Sequence, residues 1–122
     1  MDAGGLEIGS HTVSHPILTT TDNDELRREL LESRARLEAE LGHSVELFCY
    51  PNGGFDERVR RETAGAGYAC AVTTRPGLNE RRGADPFTLR RVPAESDLPH
   101  FVQSTSGFEQ LKNRLRPVNR DP

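Results

Sequence analysis

The amino-acid sequence predicts an α/β fold of parallel βα units that form roughly half of a (β/α) barrel. Short apolar segments alternate with segments of helical periodicity along most of the chain. Because a helix between two strands carries the chain back across the sheet, this alternation predicts parallel strands. The chain has 122 residues, with four predicted strands and three predicted helices. A closed barrel of this class typically needs roughly 200 residues or more.

The first predicted βα unit covers residues 6–42. Leu6–Ser10 is predicted to be a short strand. Asp22 and Glu25 have the spacing of a capping box, which marks the start of a helix. Leucines then recur at helical spacing up to Gly42, which is predicted to end the helix because glycine readily adopts the left-handed C-cap conformation.

The remaining elements follow the same alternation. Val45–Tyr50 is predicted to be the second strand, and Phe55–Ala66 the second helix. Tyr68–Thr73 is nearly all apolar, so it is predicted to be a strand covered on both faces. Phe87–Val92 is predicted to be a short fourth strand, and a last helix is expected over roughly Leu98–Leu115. A half-barrel leaves strand edges open, so we expect completion by another segment or by self-association.

The composition argues against several classes of protein. The net charge is -3, and the excess of basic residues in the C-terminal third is too small and too poor in aromatics to indicate nucleic-acid binding. No apolar run is long enough for a transmembrane helix. The first residues lack the basic and apolar regions of a signal peptide. Two cysteines without a Cys-x-x-Cys pair exclude a disulfide scaffold and a zinc ribbon.

Two histidines form the most informative motif. His11 and His15 are four residues apart and follow the first predicted strand. In α/β folds the carboxyl ends of parallel strands are where ligands bind. Imidazole is a common ligand of zinc, cobalt, nickel and iron. The spacing therefore indicates a metal site if the backbone enters a helical turn there, although the same spacing also arises by chance in polar loops.

A second motif follows the second predicted strand. Pro51 and the small residues after it lead from that strand into a helical pattern, an arrangement that presents backbone N–H groups to an oxyanion. The alternative is a hairpin turn at Asn52 and Gly53. The helical pattern after Asp56 favours the first interpretation.

These two motifs resemble those of a known family. Residues 5–16, Gly-Leu-Glu-Ile-Gly-Ser-His-Thr-Val-Ser-His-Pro, resemble the second motif of the polysaccharide deacetylase (NodB-like) family, His-[Ser/Thr]-x-x-His. Residues 48–53 resemble its third motif, Arg-x-Pro-[Tyr/Phe]-Gly, and the resemblance extends over roughly residues 4–115. It implies a distorted (β/α) barrel that removes N-acetyl groups from an N-acetylglucosamine-containing polysaccharide. It also implies a divalent metal, with zinc as the first choice and cobalt or nickel as alternatives.

The resemblance implies a role for each residue that matches a motif. His11 and His15 would bind the metal. Thr12 would stabilise the loop that carries both histidines, and we group it with the substrate-binding residues. The backbone N–H of Asn52 would help to hold the tetrahedral oxyanion. His100, in a Leu-Pro-His sequence, matches the family's general-acid motif Leu-x-His in letters.

Other substrate-binding roles are implied less directly. Tyr50 and Pro51 would line the substrate groove. Cys49 stands where the family's third motif has the arginine that orients the general base. Arg90 or Arg91, at the end of the fourth predicted strand, would fill the space left by that arginine, and we choose Arg91. The alternative is an arginine that only faces solvent.

One family motif has no match. Thr-Phe-Asp-Asp, which supplies the third metal ligand and the general base, is not found in the ten residues before His11. Residues 1–122 are therefore expected to be a partial deacetylase domain that is inactive alone. The competing hypothesis is a non-catalytic carbohydrate-binding or assembly subunit. The family suggests a place in the cell envelope or outside the cell.

Overall fold

The computed structural model describes residues 5–93, 97–99, 102 and 106. Its helices and strands alternate in the predicted order: α1 (Asn23–Leu41), β1 (Leu47–Cys49), α2 (Glu57–Gly65), β2 (Cys70–Pro76) and β3 (Leu89–Arg91). The strands pair in parallel in the order β1-β2-β3. This arrangement confirms the predicted βα architecture. Within the described residues, no helix has the length and apolarity that a membrane crossing requires.

The first predicted strand is reduced to a single bridge. Ser10 pairs in parallel with Phe48, through bonds of 2.8 Å from the Ser10 N–H to Leu47 and 2.9 Å from the Cys49 N–H to Ser10. The segment thus runs beside β1 in the predicted direction. Leu6 is 59% exposed, so little side-chain burial supports a longer ladder there.

Local capping signals fix the ends of α1. Asp22 is the N-cap, and its carboxylate accepts a 2.8 Å bond from the Glu25 N–H. Only this half of the capping box forms, because Glu25 pairs with Arg28 at 2.8 Å instead of reaching back. Gly42 ends the helix with a φ of 76°, as predicted.

The second helix begins two residues later than predicted, for a similar reason. The Asp56 carboxylate accepts a 2.8 Å bond from the Val59 N–H, so Asp56 caps the helix and Glu57 is its first residue. The neighbouring Phe55 therefore lies in the turn before the helix.

Both helices pack on one face of the sheet. The core joins Leu26 and Leu30 of α1 and Val59 of α2 with Phe48 and Ala71 of the strands. The two strand residues are direct partners in the β1–β2 register. Side chains that alternate with them point to the other face.

The opposite face is less buried. Cys49, Cys70 and Val72 are only partly buried there. The prediction that the third strand is covered on both faces is therefore wrong for the described residues. The reason is that both described helices pack on the other side of the sheet.

The last predicted helix lies mostly outside the described residues. Leu98, Pro99 and Val102 are helical. His100 lies outside the described residues.

Candidate functional site

The candidate site lies at the carboxyl-terminal edge of the parallel sheet. His11 follows the bridge at Ser10, and Asn52 lies three residues after β1 ends at Cys49. Arg91 is the last residue of β3. Because parallel strands end at the same edge, the fold brings these segments to one side of the domain.

The two histidines of the first motif lie side by side. Their ring centroids are 4.8 Å apart, with an angle of 66° between the ring planes, and both residues are exposed. Thr12 and His15 have φ values of 72° and 58°, in the left-handed region. These two left-handed residues, three positions apart, turn the chain sharply and bring both imidazoles together. The helical turn expected at the histidines is therefore wrong.

The tautomer of His11 follows from its hydrogen bond. Its Nδ1 lies 2.7 Å from the carbonyl oxygen of Cys49. A carbonyl oxygen only accepts hydrogen bonds, so Nδ1 carries the proton. In the neutral ring Nε2 then keeps its lone pair. Metal-binding histidines commonly donate their other ring N–H to a carbonyl or carboxylate in this way.

Polar contacts hold the backbone of the histidine loop, residues 11–15. The hydroxyl of Thr12 accepts a 3.0 Å bond from the His15 N–H. One carboxylate oxygen of Glu29, on α1, accepts bonds of 2.7 Å from the Val13 N–H and 3.0 Å from the Ser14 N–H. Its other oxygen accepts a bond from the Ser14 hydroxyl.

Glu29 is a buried charge. Its side chain is 0% exposed. Burial acts to raise the pKa of Glu29, but hydrogen bonds from Ser14 and Val13, aided by the Arg28 charge, hold that pKa below its ordinary value. The carboxylate is therefore ionised at neutral pH.

The second motif forms a tight turn between β1 and α2. The N–H groups of Gly53 and Gly54 donate to the carbonyls of Tyr50 and Pro51, at 2.8 and 3.1 Å. These two bonds do not use the Asn52 N–H, and Pro51 has no N–H to donate. Asn52 is therefore the backbone donor that the turn offers. Because β1 and β2 are parallel, the alternative of a hairpin at Asn52 is wrong.

Tyr50 and Pro51 are buried, contrary to the expectation that they line a groove. Tyr50 is 0% exposed, and its hydroxyl donates a 2.8 Å bond to the Phe87 carbonyl. Its ring stacks on Phe55 at 5.0 Å, and burial raises its pKa to about 12. Pro51 is also buried. Both side chains support the turn from inside the core and offer no surface to a substrate in this structure.

The sheet register separates the two candidate arginines. Leu89 lies opposite Val72, which lies opposite Cys49. Side chains alternate along β3, so Arg91 shares the sheet face of Leu89 and Cys49, and Arg90 lies on the other face. This placement favours Arg91 over Arg90 for the space that the arginine of the family's third motif would fill. Arg91 lies two strands away from Cys49, which stands at that motif position. The role itself stays a prediction.

The comparison with known proteins decides the family. Residues 1–71, more than half of the chain, match the family described as polysaccharide deacetylase. The chain belongs to the polysaccharide deacetylase family. The predicted family membership is thereby confirmed.

Individual relatives agree with this assignment. The chain is 27% identical over 88 residues to YxkH of Bacillus subtilis, named as a polysaccharide deacetylase, covering 72% of this chain and 31% of YxkH. It is 37% identical over 70 residues to chitin deacetylase 1 of Cryptococcus neoformans var. grubii, covering 57% of this chain and 15% of that protein. The chain therefore spans less than a third of these relatives.

A solved structure shows the same fold. BC0361, a polysaccharide deacetylase from Bacillus cereus, superposes with a TM-score of 0.67 at 27% identity, covering 94% of this chain and 34% of that one. The parallel sheet with its helices fits a part of the deacetylase (β/α) barrel, as predicted.

The described part of this member of the polysaccharide deacetylase family offers two metal ligands at most. His11 and His15 are close and exposed, and the Nε2 of His11 is available. Among the described residues, no group of three or more His, Cys, Asp or Glu is placed to hold a metal ion. A catalytic zinc site normally takes three protein ligands. The histidine pair therefore fits part of such a site.

Glu29 was not among the residues predicted from the sequence. A signal was present, since Glu29 lies three residues after Leu26 and four before Ser33, on the helix face that is buried. A charged residue on an apolar stripe needs polar partners when it is buried. Its partners lie 15 and 16 residues away in the loop, so the helix pattern alone did not identify them.

Proposed function

We propose that this chain carries the two-histidine and oxyanion-side part of a metal-dependent deacetylase acting on N-acetylglucosamine-containing polysaccharides. The observation that carries the proposal is the contact between the His11 and His15 rings, with the Nδ1 of His11 engaged by the Cys49 carbonyl. This arrangement leaves a ring nitrogen of His11 available to a cation at the edge of the sheet where α/β enzymes bind ligands.

The metal would be zinc, with cobalt or nickel as alternatives, and when bound it would supply an activated water and polarise the acetamide carbonyl. His11 and His15 would hold it. The Cys49 carbonyl fixes the tautomer that His11 needs for this role. Thr12 keeps the loop folded by accepting the bond from the His15 N–H.

The backbone of the Pro51–Gly53 turn would contribute to transition-state stabilisation. The Asn52 N–H would donate to the oxygen on which negative charge develops as the amide carbon becomes tetrahedral. A single preorganised donor of this kind contributes about 3 kcal/mol in other enzymes. Arg91 would orient the base, and His100 would protonate the leaving amine.

The third metal ligand and the general base would come from a segment other than the described residues. The family's Thr-Phe-Asp-Asp motif has no match in the sequence before His11, and the chain covers 31% of YxkH. Two ligands bind a metal weakly. We therefore expect the chain by itself to bind zinc poorly and to leave N-acetyl groups intact.

The family and one named relative support a substrate class. One matched relative is a chitin deacetylase, and chitin is a polymer of N-acetylglucosamine. We propose a polymer of this type as the substrate, encountered in the cell envelope or outside the cell.

The first experiment measures metal affinity. Cobalt or zinc is titrated into the chain, into His11→Ala and into the matched control His43→Ala. His43 follows α1, at the opposite edge of the sheet from His11. We expect His11→Ala to weaken binding at least tenfold and His43→Ala to leave it unchanged. Equal affinity in all three chains would overturn the proposed ligand pair.

A second experiment tests activity. The chain is incubated with zinc or cobalt and an acetylated chitooligosaccharide, and released acetate is measured. We expect none. Acetate release that disappears in His11→Ala would contradict the proposed inactivity of the isolated chain, although it would support the catalytic class.

A non-catalytic carbohydrate-binding or assembly subunit is the second candidate. It is the alternative that the unmatched Thr-Phe-Asp-Asp motif leaves open. It predicts chitooligosaccharide binding that is the same with and without zinc and is unaffected by His11→Ala. If assembly occurs through open sheet edges, native mass measurement should show dimers or larger species. A monomer would count against the assembly hypothesis.

A further inference from the structure

We infer that Glu29 is a positioning residue that holds the His11–His15 loop in the conformation that brings the two imidazoles together. The inference rests on the proposed function of those histidines as a metal-binding pair. It concerns a residue on α1 whose hydrogen bonds to the loop go to Val13 and Ser14, between the two histidines.

The contacts of Glu29 are concentrated on two neighbouring loop residues. Its Oε2 accepts both the Val13 N–H at 2.7 Å and the Ser14 N–H at 3.0 Å. Its Oε1 accepts the Ser14 hydroxyl. Successive backbone N–H groups that converge on one anion form a concave binding site for it. Here the anion is the Glu29 carboxylate, which is bound by residues at the middle of the histidine loop.

The loop has little else to hold it. Val13 is 37% exposed, and Ser14 is also exposed, so side-chain burial does not anchor the loop between the two histidines. Thr12 and His15 have left-handed backbone conformations that are unfavourable for residues other than glycine. Such a conformation persists when surrounding contacts determine it. Glu29 and the Thr12–His15 bond supply those contacts.

Helix α1 also contacts the residue just before the histidine loop. The Ser10 hydroxyl donates a 2.8 Å bond to the hydroxyl of Ser33, which lies one helical turn after Glu29. One face of α1 therefore contacts the chain both before His11 and after it. The position of His11 is defined by this helix as well as by the Cys49 carbonyl.

The negative charge of Glu29 matches its surroundings. All three loop groups that it contacts are donors, and the Arg28 guanidinium lies 3.4 Å from Oε1. In Glu29→Gln, one oxygen becomes an NH₂ group, which donates and does not accept. The variant keeps the side-chain shape but loses either the pair of backbone bonds or the Ser14 bond.

The matched control lies on the same helix. Glu38 accepts a 3.0 Å bond from the Val45 N–H and pairs with Arg34 at 3.0 Å. Like Glu29, Glu38 therefore accepts a bond from a backbone N–H outside the helix, but near the other end of α1. Glu38→Gln makes the same chemical change as Glu29→Gln without touching the histidine loop.

The experiment uses the metal-free chain first. Amide hydrogen exchange is measured at Val13, Ser14 and Val45, and ¹⁵N NMR of the imidazoles reports the His11 tautomer. We expect Glu29→Gln to speed exchange at Val13 and Ser14 at least tenfold and to reduce the share of the Nδ1–H tautomer. Glu38→Gln should speed exchange at Val45 and leave the tautomer unchanged. The same share of the Nδ1–H tautomer of His11 in Glu29→Gln and Glu38→Gln would overturn the inference.

The metal titration is the second readout. Glu29→Gln should weaken cobalt or zinc binding at least fivefold, whereas Glu38→Gln should not change it. If the wild-type chain binds no metal, the proposed function fails, and the exchange and tautomer data alone decide the role of Glu29. If metal binds and Glu29→Gln has wild-type affinity and a wild-type tautomer, the positioning role fails while the proposed function stands.

A milder variant covers the case in which Glu29→Gln does not fold. Ser14→Ala removes one donor to Glu29 at an exposed position. We expect a fold similar to the wild type, with faster exchange at Val13 by about threefold and a measurable shift in the His11 tautomer. Wild-type exchange and a wild-type tautomer in Ser14→Ala would overturn the inference.

Discussion

The Nδ1 of His11 lies 2.7 Å from the carbonyl oxygen of Cys49. This bond joins the two motifs, because Cys49 is the last residue of β1 and the Pro51–Gly53 turn begins two residues later. The segment that carries the histidines and the segment that carries the Asn52 N–H are thereby attached to each other. The proposed metal ligands and the proposed oxyanion donor share one strand end.

The left-handed conformation of Asn52 gives a first prediction. Its φ is 54°, a value that glycine adopts freely and alanine adopts at a cost of about 1 kcal/mol or more. Asn52→Ala should lower the free energy of unfolding by about 1 kcal/mol relative to Asn52→Gly. Urea unfolding of the two variants measures the difference. Equal stability of the two would show that the turn does not hold this conformation in solution.

The next residue of the turn gives a second prediction. Gly53 has a φ of 68°, and a Cβ atom there would collide with the side chain of Thr74. Gly53→Ala should destabilise the chain by about 2 kcal/mol, since it combines strain with overpacking. Gly54→Ala is the matched control, because a Cβ there meets only the Pro51 carbonyl at 3.8 Å. Urea unfolding should show little change for Gly54→Ala, and a loss as large as that of Gly53→Ala would contradict the described turn.

The buried phenol of Tyr50 gives a third prediction, on alkaline stability. Burial raises the pKa of Tyr50 to about 12, whereas the pKa of an unfolded tyrosine is about 10. The folded state thus favours the neutral form. Its contribution to stability is complete below pH ~10 and is lost as the pH rises toward ~12, by up to about 1.4 kcal/mol per pH unit.

Tyr50→Phe provides the comparison for this effect. The variant loses the bond to the Phe87 carbonyl, which should cost about 1 kcal/mol at neutral pH. It should then lose less stability than the wild type between pH 10 and 11.5 in urea unfolding. A variant with the same alkaline slope as the wild type would assign the loss to other groups.

The ends of α1 and the strand direction were predictable because their causes are local. Asp22 and Gly42 cap α1 through contacts within one helical turn. The alternation of apolar runs with helical patterns correctly predicted parallel pairing of β1, β2 and β3. The histidine spacing predicted that His11 and His15 come together, but through a helical turn, whereas left-handed Thr12 and His15 bring the rings together.

The features that were missed depend on contacts between distant segments. Tyr50 was expected at a groove because of its motif, but it is buried against Phe55 and bonded to Phe87, 37 residues away. Glu29 is in a charge-rich helical segment, and only the folded loop shows why it is buried. Leu6–Ser10 has the pattern of a strand but too little packing to extend its pairing beyond Ser10.

The most direct test of the account follows both imidazoles during a zinc titration. The chain is labelled with ¹⁵N-histidine, and ring resonances are assigned with His11→Ala, His15→Ala and the control His43→Ala. We expect ring nitrogens of both His11 and His15 to shift together with one zinc per chain, while the Nδ1 proton of His11 is retained and His43 is unaffected. Shifts confined to one of the two histidines, or none at either, would contradict the claim that the pair binds a single cation.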